Sequence, residues 1–398
     1  MRRRSISLCT AATVASISLG SGCTDFDRED RIEDMRVLAV RMDPPEILYS
    51  PLFLTPAAQR PPGFPLPTVD VQLEVFAFDP RGGTVRTSVQ LCPDGAGDSA
   101  CRLYDPAEDL AAEPPEARAQ IAALLEPQVT ESDIEADATP VGRVLPATTT
   151  WSITPALMDF FIADDSRGSP IPSIFPLLPR VAVEARNLSI TDGAAVQKER
   201  AYKRLPIALD LTSPDLPPEV TADLASGLGI TLCAEPIPDE EFALQGRAEC
   251  LERRLPNHNP GLLGFKFEPD PENLTADYLS GVAPDLGVGS LLRTDPGAAL
   301  AITPVFTADA AEQYQVVSFD IEASKIILLN RIEDLACTWY STRGDLTDSM
   351  TALQQGDTLG VAWQLPFEAE SGERDSLVMV VLDQRGGTAV AEITVEYR

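Results

Sequence analysis

Apolar and polar residues alternate with a period of two along most of the chain, which is the pattern of strands buried on one face. The first alternating stretch, MRVLAVRMDPPEI at 35–47, predicts a strand that Pro44 and Pro45 stop. The next, VDVQLEVFAFDPRGGTVRTSVQLC at 69–92, predicts two strands joined in a hairpin at DPRGG. The first part of the chain is therefore expected to form antiparallel strands.

The same signal recurs to the end of the chain, in TTTWSI, RVAVEARNLSI, KERAYKRLPIAL, ALAITPVF, YQVVSFDIEA, EDLACTWYST, TLGVAWQLP, SLVMVVLD and TAVAEITVEY. Helical periodicity is rare, and PPEARAQIAALLEP at 114–127 is the main stretch that shows it. The 35 prolines and 25 glycines indicate many turns. The predicted class is all-β with antiparallel sheets.

At 398 residues the chain is too long for one ordinary core, so two domains of sandwich size are expected. The first is predicted over 35–210, with an acidic, alanine-rich insertion at about 93–150. The Pro-rich stretch 211–256 is interpreted as a connector, and the second domain spans 257–398.

One short pattern, D-x-R-G-G-T, occurs in both predicted domains after an apolar strand. In each copy the Asp can bond the backbone of the turn, and the paired glycines can take positive φ where the hairpin reverses. The predicted turn residues are Asp79, Gly82, Gly83, Asp383, Gly386 and Gly387.

The net charge of −30 limits the partners of the chain. An acidic surface of this size repels nucleic acid and anionic lipid headgroups. Any attachment to a membrane must then come from acyl chains rather than from electrostatic attraction.

The first 23 residues predict such an attachment. Arg2, Arg3 and Arg4 form a basic start, an apolar stretch follows from about Ile6 to Leu19, and GSG precedes Cys23. This segment resembles the signal peptides of bacterial lipoproteins, although Gly20 stands where that family usually has Leu. The resemblance implies removal of residues 1–22, acylation of Cys23 and an acidic tether at 23–34. An ordinary secretory signal cleaved near Gly22 and an uncleaved anchor are the alternatives, and the apolar stretch is short for a spanning helix.

With Cys9 removed and Cys23 acylated, five cysteines stay in the folded part. Cys92 and Cys101 are nine residues apart, and Cys233 and Cys250 are seventeen apart, so two local disulfides are the economical interpretation in an oxidising compartment. Cys337 lies in the strand-like LACTWYST and is expected to be a buried apolar residue.

The last 60 or so residues show a second resemblance, carried by CTWYSTRGDL, VAWQLP and SLVMVVLDQRGGTAVAEITVEY. This part is similar to the immunoglobulin-like sandwiches of polycystic-kidney-disease repeats. The positions that match their pattern are Trp339, Trp363, Pro366, Asp383 and Gly386. The resemblance implies an immunoglobulin-like fold, extended by weaker analogy to residues 32–210, and a spacer or binding module without a shared catalytic site.

Candidate chemistry is sparse. Every Ser-His or Cys-His arrangement would need the one histidine, His258, which lies in the turn-like PNHNPG and is expected to be solvated. A zinc site is not expected, because no CxxC pair occurs. Calcium could be held by DFDRED after Cys23, by ESDIEAD at 131–137 or by EPDPEN at 268–273, but none has the spacing of a twelve-residue calcium loop. No metal and no cofactor are therefore assigned.

These observations predict a lipid-anchored cell-envelope protein that acts without catalysis as a binding, adhesion or structural module. Its expected partners are the membrane, through the acyl chains, and an envelope protein or polysaccharide. The resemblance to lipoproteins also implies an outer-membrane site, because in the enteric members of that family an Asp after the lipid cysteine signals retention in the inner membrane, and Thr24 stands there. The alternative is a surface hydrolase, or an accessory domain of one, with a carboxylate pair in a concave pocket. A subunit of an envelope assembly, with an exposed apolar patch, is a third possibility.

Overall fold

The computed structural model describes residues 30–51, 68–80, 84–92, 130–135, 145–159, 177–188, 195–214, 216–238, 246–268, 283–320, 322–323, 325–352 and 359–398. The prediction of an all-β sandwich protein with antiparallel sheets is confirmed. Two short parallel pairings depart from it. The strands are numbered β1 to β22 in chain order below.

The first sandwich consists of two sheets with a shared core. One sheet has the order β1 (Arg36–Asp43), β3 (Val69–Phe78), β6 (Leu145–Ile153). The other has the order β5 (Thr130–Glu135), β4 (Thr84–Cys92), β7 (Arg180–Leu188), β8 (Ala195–Arg204). Alternate residues of the two sheets, among them Leu73, Trp151 and Val183, meet in the core. The short strands β2 (Ile47–Tyr49) and β9 (Ile207–Leu209) pair in parallel at its margin.

The second sandwich consists of two five-stranded sheets. One has the order β12 (Leu286–Gly287), β11 (Leu262–Glu268), β14 (Ala299–Phe306), β20 (Val361–Gln364), β18 (Asp345–Leu346). The other has the order β13 (Leu291–Thr294), β22 (Thr388–Tyr397), β21 (Arg374–Leu382), β17 (Ala336–Ser341), β19 (Met350–Ala352). Trp339 and Trp363 are fully buried between them, and Cys337 is buried in the same core with a free thiol.

The two sandwiches pack against each other through the outer faces of two sheets. Phe76 and Phe78 of β3 contact Val378 and Val380 of β21 in a third apolar cluster. Residues that alternate with these point into the two sandwich cores, so β3 and β21 have apolar residues on both faces. In the described residues, the domains therefore form a stack of four sheets.

A third unit covers one end of the first core. Strand β15 (Gln313–Asp320), which the sequence places among the strands of the second sandwich, pairs instead with β16 (Lys325–Ile332), and β16 pairs with β10 (Arg247–Ala248). Leu328 of this small sheet belongs to the first core. The reason is local: the alternate apolar residues of the hairpin give it one face to bury, and the end of the first sandwich offers an apolar surface.

The stretch interpreted as a connector is held to this unit. It contains a helix, Pro218–Gly227, with Ala225 buried in the first core, and the predicted disulfide Cys233–Cys250, which is present. A helical turn also occurs at 155–159. In the described part of the chain no helix is long and apolar enough to cross a membrane.

The chain enters the fold at the second sandwich. Ile32 N donates to Ser341 O at 2.9 Å, and Ser341 N donates to Asp30 O at 2.8 Å. Ile32 is 1% exposed. The described end of the predicted tether at 23–34 is therefore fixed to the body.

Several predicted features fall outside the described residues. Among them are the signal segment with Cys23, most of the insertion, Gly82, Gly83 and Cys101. Cys92 ends β4, but its side chain is not described, so the Cys92–Cys101 pairing stays a prediction. The acidic stretches considered for calcium also lie largely in these gaps.

Replacing both Cys233 and Cys250 with Ser should lower the free energy of unfolding by about 2 to 3 kcal/mol, because the bond closes a short loop. Urea unfolding of the double variant and the parent measures this difference. Cys337→Ala is the matched control for thiol removal, because that buried thiol forms no disulfide in the described structure. Equal midpoints for the parent and the double variant would contradict the prediction.

Candidate functional site at the contact between the sandwiches

The second copy of the D-x-R-G-G-T pattern forms a closed turn between β21 and β22. Asp383 Oδ1 accepts hydrogen bonds from the backbone nitrogens of Arg385 at 2.8 Å and Gly387 at 2.7 Å. Asp383 Oδ2 accepts a bond from the amide of Asn257 at 3.2 Å. The Asp side chain thus holds the turn from inside and ties it to the segment before β11.

This turn contacts the first sandwich, and its glycines allow the close approach. Gly386 has φ of 103°, and a Cβ there would lie 3.2 Å from Pro206. A Cβ on Gly387 would overlap the carboxylate of Asp383. The paired glycines are therefore needed both for the reversal of the chain and for contact between the domains.

Arg385 extends from the turn into a buried cluster of acids. Its Nη2 lies 2.6 Å from Glu46 Oε2, and its Nη1 lies 3.0 Å from Glu312 Oε2. Glu46 also binds Arg254. The side chains of Arg385 and Glu46 are 8% and 3% exposed, so these charges are removed from water. Arg385 of the second sandwich thereby connects Glu46, which precedes β2 in the first sandwich, with Glu312, which precedes β15.

Glu333 lies beside this cluster and is 1% exposed. Burial raises its pKa from 4.5 to about 8, the negative charge of Asp383 adds to this, and the nearby Arg385 opposes it. Glu333 Oε1 is 3.5 Å from Arg385 Nη1, too far for a hydrogen bond, and within the described residues it has no hydrogen-bond partner. The other oxygen, Glu333 Oε2, accepts a hydrogen bond from the backbone nitrogen of Glu312 at 3.0 Å.

A polar seam continues from the cluster. Lys203 Nζ of β8 donates to Thr388 Oγ1 of β22 at 2.8 Å, and Asn259 links Thr388 N to Met42 O through bonds of 2.8 Å. Burial lowers the pKa of Lys203 to about 8, although the charge of Asp383 acts in the other direction. The seam fixes the two sandwiches with directional contacts as well as apolar ones.

A cleft of about 570 Å3 opens next to the cluster. Its walls come from the stretch interpreted as a connector, the β15 strand and the turn, and its lining includes Leu211, Ile237, Leu251, Arg253, Glu252, His258, Asp309, Glu312, Tyr314 and Arg385. Arg385 lies 5.1 Å from the ring centre of Tyr314, within cation–π distance. This volume is in the range of small-molecule sites.

Among the described residues, the lining of the cleft includes the acids Glu252, Asp309 and Glu312. Glu333 is not part of the lining of the cleft, and its side chain lies next to Arg385. The pKa of Asp309 lies below its ordinary value because of hydrogen bonds from Thr307 and its own backbone. His258 is 72% exposed and contacts Glu312 at 2.7 Å. Across the described ranges, no group of three or more His, Cys, Asp or Glu side chains is placed to hold a metal ion.

The first copy of the pattern lies elsewhere. Asp79 is buried and accepts a hydrogen bond from Asn187 of β7, and the glycines that follow lie outside the described residues. Of the predicted turn residues, those of the second copy therefore come together at the contact between the sandwiches.

Reasoning from the sequence missed Arg385, Glu46 and Glu333. The Arg of D-x-R-G-G-T is visible in both copies, but a turn Arg is normally solvated. A signal existed in the continuous apolar runs VFAF and VMVVL, which indicate strands buried on both faces.

No protein-family model matches the chain, and no curated protein matches it. Among solved structures, a nucleoside hydrolase-related hypothetical protein from Saccharophagus degradans is 10% identical over 36% of this chain and 26% of its own, with a TM-score of 0.21. The Salmonella enterica SafA pilin in complex with the SafB chaperone is 9% identical over 91% of this chain and 97% of its own, with a TM-score of 0.21. The YadV chaperone is 8% identical over 89% and 98%, with a TM-score of 0.18. Similarities this weak carry no argument about function.

Arg385→Met should lower the free energy of unfolding by about 3 to 5 kcal/mol, because it leaves buried acids without their cation. Arg374→Met is the matched control: Arg374 pairs with Glu396 at the surface, where such a pair contributes about 1 kcal/mol or less. Urea unfolding at neutral pH measures both. If Arg385→Met and Arg374→Met lowered the free energy of unfolding by similar amounts, the cluster would not be a stabilising contact.

Glu333→Gln should change how stability depends on pH. An acid with a raised pKa keeps its proton in the folded state while the unfolded chain loses it, so Glu333 makes the parent less stable as pH rises from about 4.5 to 8. The variant should lack this decline, and the difference in unfolding free energy should move in its favour from about pH 5 to pH 8. Urea midpoints across this range test it, and a constant difference would contradict the assigned pKa.

Proposed function

We propose that the chain is a lipid-anchored cell-envelope protein that acts as a non-catalytic binding, adhesion or structural module. The observation that carries the proposal is the segment that ends at Cys23, with its basic start, short apolar stretch and small residues before the cysteine. Acylation of Cys23 then supplies the membrane contact that a net charge of −30 cannot supply. The outer membrane is the favoured site, because Thr24 stands where the retention signal of inner-membrane lipoproteins would have an Asp.

The fold supports a module that acts as one body. Asp30, the first residue that the structure describes, bonds to Ser341 of the second sandwich, and the chain continues from there into β1 of the first sandwich. An anchor at the N-terminal side would therefore act on both sandwiches together. A stacked body favours presentation of one defined surface over the behaviour of a string of separate domains.

A surface hydrolase is the second candidate, and the cleft with Glu312 and Asp309 is the observation in its favour. It requires two carboxylates facing one concavity with pKa values moved apart. Glu333 has the raised pKa near the cleft, but it is not part of the lining of the cleft. The binding role is therefore the better-supported proposal.

The test compares Cys23→Ala with the parent in a bacterial host that acylates lipoproteins. The parent should fractionate with membranes, and the intact mass should fit residues 23–398 plus acyl groups. Cys23→Ala should leave the membrane fraction, because no acyl chain is attached.

Cys9→Ala is the matched control, because Cys9 lies in the part that is removed and its loss should change neither mass nor fractionation. An unmodified Cys23 in the parent would overturn the proposal. Membrane retention of the Cys23→Ala chain would show that the anchor lies elsewhere.

A further inference from the structure

The outer face of β7 and β8 concentrates positive charge on an acidic protein. The strands pair with Arg180 opposite Arg204, Ala182 opposite Tyr202, Glu184 opposite Arg200 and Arg186 opposite Lys198. Val181, Val183 and Ala185, which alternate with these on β7, face the core. The outer positions therefore form a strip with five cations and one acid, Glu184, on a chain whose net charge is −30.

Glu184 organises one end of the strip. It is 3% exposed and binds Lys198 at 2.6 Å, Arg200 at 3.0 Å and Arg186 at 2.6 Å. Burial alone would raise its pKa, but the three cations more than offset this, and the pKa lies below its ordinary value. The cationic side chains are 37% to 47% exposed, so one buried acid orients three charges that still reach solvent.

The other end of the strip is concave. Arg180, Tyr202, Lys203 and Arg204 line a depression of about 420 Å3, large enough for a sugar ring. Tyr202 is 51% exposed. An exposed ring in a depression that arginines also line can pack against the C–H face of a sugar, and arginines can bind a carboxylate in bidentate fashion.

From this geometry we infer that the β7–β8 strip binds an anionic polysaccharide, with a uronate residue in the depression and further acidic groups along the strip. Lys198 and Arg204 are six residues apart on β8, which corresponds to about 20 Å. A linear polymer can follow a strip of this length. The outer positions of β7 and β8 point away from the core of the first sandwich, whereas Lys203, on the other side of β8, bonds to Thr388 of the second sandwich.

An anionic bilayer fits the strip less well. A flat membrane would also approach the acidic surface around the strip, whereas a chain of sugars need not. An acidic peptide would satisfy the cations, but it would not need the tyrosine ring. The inference names the partner class of the binding module and rests on that proposed function.

The experiment measures binding of the full mature chain to polygalacturonate by calorimetry at low salt, with neutral dextran as the uncharged polymer. Tyr202→Ala combined with Arg204→Gln should weaken binding about tenfold or more, because it removes the ring and a charged contact but leaves the Glu184 cluster intact. Lys198→Gln combined with Arg200→Gln should weaken it by a similar factor. Circular dichroism of each variant identifies any loss of folding.

Arg253→Gln combined with Lys325→Gln is the matched control, since it removes two exposed cations away from the strip and should leave the affinity unchanged. Binding to polyglutamate tests an acidic peptide as the partner, and binding to phosphatidylglycerol vesicles tests an anionic bilayer. Equal affinity for polyglutamate, binding to vesicles alone, or no binding to the uronate polymer would each overturn the inference. Because membrane fractionation reports on Cys23 and not on the strip, failure here is distinguishable from failure of the anchor.

Discussion

The contact between the outer faces of two sheets determines the rest of this structure. Phe76, Phe78, Val378 and Val380 would form an exposed apolar patch on either sandwich alone, and in the pair they are buried. The contact removes apolar surface from water, and it brings the turn at Asp383 against Pro206. The ion cluster, the cleft and the polar seam exist only because the sandwiches are stacked.

The cluster around Arg385 adds directional specificity to that apolar contact. Apolar surfaces tolerate small shifts, whereas a buried guanidinium requires its carboxylates at hydrogen-bond distance. A displaced arrangement would leave Arg385 and Glu46 charged and unpaired away from water. The raised pKa of Glu333 has the same origin, because four acids close to one another cannot all be charged at low energetic cost.

Much of the fold could be predicted from the sequence, because alternation and turn residues report directly on one-sided strands. The disulfide Cys233–Cys250 could also be predicted, because the short spacing of the two cysteines limits the possible pairings.

The stacking of the two sandwiches could not be predicted, because it depends on which faces of the sheets meet. The place of β15 was missed because alternation shows that a strand has an apolar face but not which surface covers it. Arg385 was missed because its partners Glu46 and Glu312 lie 339 and 73 residues away along the chain. The cations of β8 are plain in KERAYKR, but only the register with β7 shows that they form one strip.

The pairing of Asp30 and Ile32 with Ser341 has a mechanical consequence. A pull on the chain at Asp30 would load these hydrogen bonds to the second sandwich before it loads β1, which begins at Arg36. The load would then be shared by the sheet that contains β17 and by the apolar contact between the sandwiches. The strand that resists this tension, β17, is synthesised long after the strand that it protects.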